Sequence, residues 1–344
     1  MLGQVNKSND VEGRKLSMIA FGYLSEKGSP GKAGRRKFYL GIIVFMILLI
    51  LALYLALAHG LTNTQKLFSN PITFTSAVML GLVVGVIVGL TSVGSGALMA
   101  PILLLDFGSI VGKTLVVGTA TTAGTVEKFV VSLRNYFKKT LKMSYALMIA
   151  YTGVPLAAVG AFYSSVLIKW NLFSPLLSGV LLVVGLVIIV QSKLEKINYT
   201  KDPPMTRSLR IRGLLVGVVI GLVAGLTGVS TGSLLVASLI LLLKFPNRTA
   251  VTIALFEGAL ILFAATATQL YLGHVNLPFT GALLLGGIPG ILIGNHYKDR
   301  VGQNILGYGI AIVIIFEAAR TLSAFFFGKS FFIFNLALAI KTVP

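Results

Sequence analysis

The sequence predicts an all-α, polytopic membrane protein built from two inverted repeats. Each repeat is a broken or re-entrant helical hairpin followed by three transmembrane helices, and one extra transmembrane helix precedes them. Three observations carry this reading. Of 344 residues, 56% are hydrophobic and 11% charged, with a mean hydropathy of +0.91, too little polar surface to coat a water-soluble globule. Residues 81–98, GLVVGVIVGLTSVGSGAL, return as 217–234, GVVIGLVAGLTGVSTGSL, so Gly81, Gly85, Gly89, Thr91, Val93, Gly96 and Leu98 recur without a gap. Such a match at a fixed offset is an internal repeat. Finally, the basic loops share one side of the membrane only if the long apolar segments fold back on themselves.

Composition also excludes function classes. The net charge of +19 comes from lysines and arginines in the first residues and between apolar runs, which positive-inside topology explains without nucleic acid. With no cysteine there is no disulfide, thiolate metal site or cysteine nucleophile. His59, His274 and His296 stand at segment ends, which argues against an intramembrane histidine metal cluster. No metal and no cofactor is expected.

In chain order, residues 1–37 read as a flexible, basic cytoplasmic tail, polar and without apolar periodicity. Residues 38–58 are an uncharged run long enough to span; its AlaLeuAla ending resembles a signal-peptidase site, but the basic and apolar regions are both too long, so an uncleaved anchor is expected. Repeat 1 occupies 74–192. Its first stretch, Phe74 to Leu105, carries no charge and as one helix would be roughly 48 Å long against a hydrocarbon core of about 30 Å. It must tilt or break, and TSVGSG is where it would break. Spans follow at Thr114–Leu133, Met143–Ile168 and Trp170–Ser192, then a basic linker at 193–212. Repeat 2, 213–320, has the same plan: Gly213–Leu243, Thr249–Leu272, Val275–Tyr297 and Val301–Ala319. Its third helix carries GIPGILIG at 287–294 where repeat 1 has GVPLAAVG at 153–160. Residues 321–344 are expected to form an interfacial or short membrane segment.

Charge then orients the chain. If every long segment crossed once, the tail would be inside, while the loop 134–142 and the linker 193–212 would lie outside, against the positive-inside tendency. As hairpins, the long segments put the tail, 134–142, 193–212 and 296–302 inside, leaving Lys169 and the Arg320/Lys329 end as exceptions. Each repeat then crosses an odd number of times, so the two copies must be inverted, an architecture of many secondary transporters. The expected location is the cell (inner) membrane, multi-pass, with the N-terminus cytoplasmic.

An unwound tip at mid-membrane exposes backbone N–H groups, and a half-helix starting there points its positive end inward, so both favour an anion. The tip residues expected to contact it are Thr91, Ser92, Gly94, Ser95 and Gly96 in repeat 1, and Thr227, Gly228, Ser230, Thr231 and Gly232 in repeat 2. The same small residues would also serve close helix packing; the duplication and the excess length favour a site. On the next helix Thr121, Thr125, Lys128 and Ser132 share one stripe, and at the repeat offset Thr121 corresponds to Glu257 and Lys128 to Ala264. Thr121 and Lys128 join the candidate substrate site, although Lys128 could equally anchor the helix by snorkelling, with Glu127 pairing to Arg134. Glu257, eight residues into an apolar helix, costs at least about 2.5 kcal/mol as a charge there, and protonation relieves that cost, so it is the candidate proton-coupling residue. Its alternative is a neutral carboxyl that packs the repeat interface. Glu317 and Arg320 read as an ion pair, Lys244 and Arg248 as topology anchors, and Phe325 to Phe327 as lipid-facing or interfacial.

The glycine-rich motifs GLTSVGSGALMAPILLL and GLTGVSTGSLLVASLIL, with VGTATTAGTVEKFVVSLRNY, QLYLGHVNLP and GIPGILIG, resemble the sulfite exporter TauE/SafE family over about residues 74–320. That resemblance implies a transporter of sulfite or organosulfonate-type anions, commonly exporting them. Ser95, Ser230 and Thr231 stand where the family is richer in glycine. The expectation is a proton-coupled exporter using alternating access, whose partners are a small oxyanion, protons and membrane lipid, with a homodimer allowed and nucleic acid excluded. An uptake permease for another sulfonate or carboxylate and a non-transporting assembly or scaffold protein are the alternatives. No nucleophile, base and orienter constellation supports an enzyme.

Overall fold

A computed structural model describes residues 71–91, 95–137, 141–194, 199, 201–229, 232–297 and 303–327. The tail, the extra span and the 328–344 end lie outside these residues. All regular secondary structure among the described residues is helical, with no strand.

The first long apolar stretch is two helices, α1 (Pro71–Thr91) and α2 (Ser95–Leu105). A single turn, α3 (Gly108–Val111), and a 3-10 turn at Lys113–Leu115 lead into α4 (Val116–Phe137), α5 (Met143–Lys169) and α6 (Phe173–Leu194). Repeat 2 follows the same order: α7 (Arg207–Thr227), α8 (Gly232–Leu241), α9 (Asn247–Tyr271), α10 (Leu277–Tyr297) and α11 (Gln303–Phe327). Among the described residues, seven helices are long and apolar enough to cross a membrane: α1, α5, α6, α7, α9, α10 and α11. α4 is 22 residues long but too polar to join them, because it carries Glu127, Lys128 and four threonines. It tolerates that polarity because its four threonines, Glu127 and Lys128 are all buried in protein rather than lipid.

Packing crosses between the repeats. α1 lies along α10, and α7 lies in the same way along α5; α4 packs on α9, and α6 on α11. Glycines at every fourth position make the first two contacts possible. An added Cβ at Gly85 would stand 2.5 Å from the Gly287 carbonyl oxygen, and one at Gly160 would stand 2.7 Å from that of Leu222. Six glycines of the duplicated motif, Gly81, Gly85, Gly89, Gly217, Gly221 and Gly225, therefore serve backbone-to-backbone packing against the facing repeat.

The contacts also give directions. Gly81 meets Leu283 and Gly89 meets Asn295, so α1 and α10 run parallel; Gly217 meets Ile149 and Gly225 meets Ala157, so α7 and α5 do too. Gly124 meets Leu262 while Gly258 meets Lys128, so the equivalent helices α4 and α9 run antiparallel. Gly118 meets His274 and Gly287 meets Glu127, which makes α4 parallel to α10 and hence to α1. α2 starts beside Gly124 at Ser95, and the turn after it ends where Asn276 holds both the Val111 carbonyl (3.5 Å) and the Thr119 hydroxyl (3.1 Å). The chain thus returns from α2 towards the end of the bundle where α4 begins.

Candidate functional site

The centre of the molecule is the crossing of α4 and α9. Glu127 and Lys128 are neighbours on α4 and so project about 100° apart, towards different helices. Glu127 Oε1 rests against Gly287 of α10, whereas Lys128 Nζ reaches Gly258 of α9, where an added Cβ would be 2.6 Å away. Glu257, one position before Gly258, turns the other way and lays Oε1 beside Gly153 of α5, where an added Cβ would be 3.2 Å away. Lys128 lies within Coulombic reach of both carboxyls. Glu127, Lys128 and Glu257 are all fully buried, and none of their charged atoms has a hydrogen-bond partner.

Two alternatives left open by the sequence are decided here. Lys128 does not snorkel: it is fully buried at the helix crossing. Glu127 does not spend its carboxylate in a local pair; it faces α10, and its oxygens are unpartnered. The Ser95 hydroxyl at the start of α2 lies against Gly124, three residues before Glu127 on α4, and has no hydrogen-bond partner.

The tip residues divide by what they do. Ser95 and Gly96 open α2 and are buried, and Ser95 faces Gly124. Thr227 is occupied: its hydroxyl donates to the Val223 carbonyl (2.7 Å) and accepts from the Val229 amide (3.2 Å), which closes the end of α7. Gly228 follows in a left-handed conformation (φ 68°) and sits against Val117 at the start of α4. Gly232 opens α8, with the buried, unpartnered Ser233 hydroxyl next to it. Both hairpins therefore bear on α4, Gly228 at Val117 and Ser95 at Gly124. Ser92, Gly94, Ser230 and Thr231 lie outside the described residues, as does the side chain of Thr91. Thr121 is buried on α4 with its hydroxyl donating to the Gly118 carbonyl (3.0 Å).

A polar seam continues from the charged cluster. Thr125 shares a hydroxyl hydrogen bond with Thr266 (2.9 Å), and Gln269 donates to the Ser164 hydroxyl (2.8 Å) and the Ala161 carbonyl (3.1 Å). Sequence reasoning missed Thr266, Gln269 and Ser164, each an ordinary polar residue until packing aligns it. The Glu317–Arg320 pair (3.2 Å) gains a third member, Asp106 at the end of α2, which Arg320 also holds.

Comparison with known proteins agrees with this architecture. The chain is similar to two proteins of Bacillus subtilis (strain 168). It is 28% identical to "Probable membrane transporter protein YjnA" over 72% of this chain and 99% of that protein. It is 26% identical to "Probable membrane transporter protein YunE" over 71% of this chain and 95% of that protein. No solved structure matches it. The family described as "Sulfite exporter TauE/SafE" matches residues 77–321, from within α1 to within α11. Since that match runs through both repeats and the charged crossing between them, the chain belongs to the sulfite exporter TauE/SafE family of membrane transporters.

Proposed function

We propose that this chain is a secondary transporter carrying sulfite, or a related small sulfur-containing oxyanion or organosulfonate, across the cell membrane. In this reading transport is outward, coupled to protons through Glu257, and proceeds by alternating access of two inverted repeats. The observation that carries the proposal is Lys128, a fully buried ammonium without a hydrogen-bond partner, facing carboxyls from both repeats. An ammonium in that setting is costly unless something pairs with it. A small anion is such a partner, and protonation of Glu257 would free Lys128 to receive it.

The surroundings support the same reading. α2 and α8 begin at the two hairpin tips, and each brings a buried, unpartnered serine hydroxyl in its first turn, Ser95 and Ser233. The Thr91–Gly96 and Thr227–Gly232 tips, with Thr121 and Lys128, form the proposed substrate path. The antiparallel run of α4 against α9 supports inversion of the repeats. Transport, rather than catalysis, is the activity proposed.

The test is flux of radiolabelled sulfite into proteoliposomes, with and without an imposed pH gradient, in competition with unlabelled sulfonates and carboxylates. Saturable flux that follows the gradient is expected, and the competitors rank the cargo. Glu257→Gln should lower the gradient-driven component while saturable anion binding persists; undiminished drive would remove Glu257 from the mechanism. Absence of flux for every anion, from folded protein, would favour a scaffold.

A further inference from the structure

We infer that Glu127 is a second proton-carrying carboxyl, competing with the transported anion for Lys128 alongside Glu257. The inference rests on the transporter reading above and adds a residue to its site. Glu127 and Glu257 do not correspond at the sequence offset, where Glu257 answers Thr121. Their carboxyls nonetheless reach matching places. Glu127 Oε1 lies against Gly287, the first residue of GIPGILIG, and Glu257 Oε1 lies beside Gly153, the first residue of GVPLAAVG. Each repeat thus rests one carboxyl on the Gly-X-Pro segment of the other, with the single ammonium of Lys128 within reach of both.

Nothing else titratable competes at this point among the described residues. α2 and α8 contain no ionisable residue. On α5, Tyr145 donates to the Pro203 carbonyl (2.7 Å), Tyr151 and Tyr163 are exposed, and Lys169 is the last residue. Arg207, Arg210 and Arg212 occupy the first turns of α7, and His296 and Tyr297 end α10. On α4 and α9 themselves, Arg134 and Tyr136 fall in the last turn of α4, Arg248 is the second residue of α9, and Tyr271 its last.

The cluster therefore has three accessible net charges. With both carboxyls ionised it is −1, with one ionised it is neutral, and with neither it is +1. Bringing a monoanion to Lys128 in a low-dielectric interior is neutral overall only in the last state. Anion binding must consequently draw protons onto the carboxyls that the anion displaces, and rising pH must weaken binding as either carboxyl reclaims Lys128.

The experiment measures dissociation constants in nanodiscs across a pH series, using methanesulfonate, whose own charge does not change, and sulfite as the parallel probe. Wild type, Glu127→Gln, Glu257→Gln and the double variant are compared; glutamine keeps side-chain volume, and a wild-type-like melting temperature verifies folding. The wild-type affinity should fall with pH. Each single variant should keep a shallower dependence, and the double variant should lose it. A Glu257→Gln protein with pH-independent binding, or a Glu127→Gln protein with an unaltered wild-type slope, would overturn the role of Glu127 and leave the transporter reading standing. If neither probe binds the folded wild type, the transporter reading itself fails.

Discussion

At the scale of single residues, the difference between a glycine that packs and a glycine that bends is measurable here. Gly228 has φ 68° and lies close to Val117, with an added Cβ meeting the Val117 carbonyl oxygen at 3.2 Å. A left-handed non-glycine residue costs about 1–2 kcal/mol, so Gly228→Ala should lower stability by roughly that amount, read as a shift of the unfolding midpoint in detergent. Gly85 has no such conformational need. There a Cβ would enter the backbone of α10 at 2.5 Å, and Gly85→Ala must push two helices apart. We expect it to impair folding more than Gly228→Ala does. A Gly85→Ala protein with an unchanged midpoint would show that α1 and α10 do not need close contact. The charged residues show the same dependence on surroundings. A sequence records Glu127 and Lys128 as adjacent opposite charges, but adjacent helical positions point to different neighbours, and only packing shows that both are enclosed.

At the scale of elements, the end of α2 is tied to α11 by a group with no counterpart in the other repeat. Arg320 holds Asp106 and Glu317, while the offset places Leu242 where Asp106 stands and Val184 where Arg320 stands. Removing one member of a buried ionic group while leaving the others costs about 3–5 kcal/mol. Arg320→Met should therefore destabilise the protein by an amount of that order, and Leu242→Asp/Val184→Arg is not expected to be neutral because Val184 is fully buried in the apolar core. A thermal midpoint for Arg320→Met equal to that of wild type would mean the cluster contributes nothing net. The hairpin of repeat 1 is thus anchored at its return end by charge, and that of repeat 2 by apolar packing through Leu239, Ile240 and Leu243. The apolar run ending at Leu105 stops one residue short of Asp106, which is why the acid escaped notice as part of the hairpin.

At the scale of the whole molecule, the parallel pairs α1/α10 and α7/α5, with α4 antiparallel to α9, predict how the loops divide between the two faces. Positions 70 and 109 flank the first hairpin and should be labelled from one side when changed singly to cysteine. Position 244, between α8 and α9, should be labelled from the other. The native chain has no cysteine, so each signal is unambiguous. Labelling of 70 and 109 from opposite faces would refute the hairpin, and labelling of 109 and 244 from the same face would refute the inversion.

Class, repeat and break positions were legible in the sequence by itself. Membrane residence follows from the bulk excess of apolar residues, and a duplication is visible wherever two stretches keep the same glycines. The breaks follow because Phe74–Leu105 and Gly213–Leu243 are too long for one crossing, and α1/α2 and α7/α8 divide within them. Three matters were decided only by tertiary structure: that the motif glycines before the tips serve packing, that Lys128 is enclosed rather than snorkelling, and that Asp106 joins Arg320. The physical reason is common to all three. Hydrophobicity and chain length act along the sequence and can be summed from it, whereas close approach and the enclosure of a charge depend on which distant helix lies alongside.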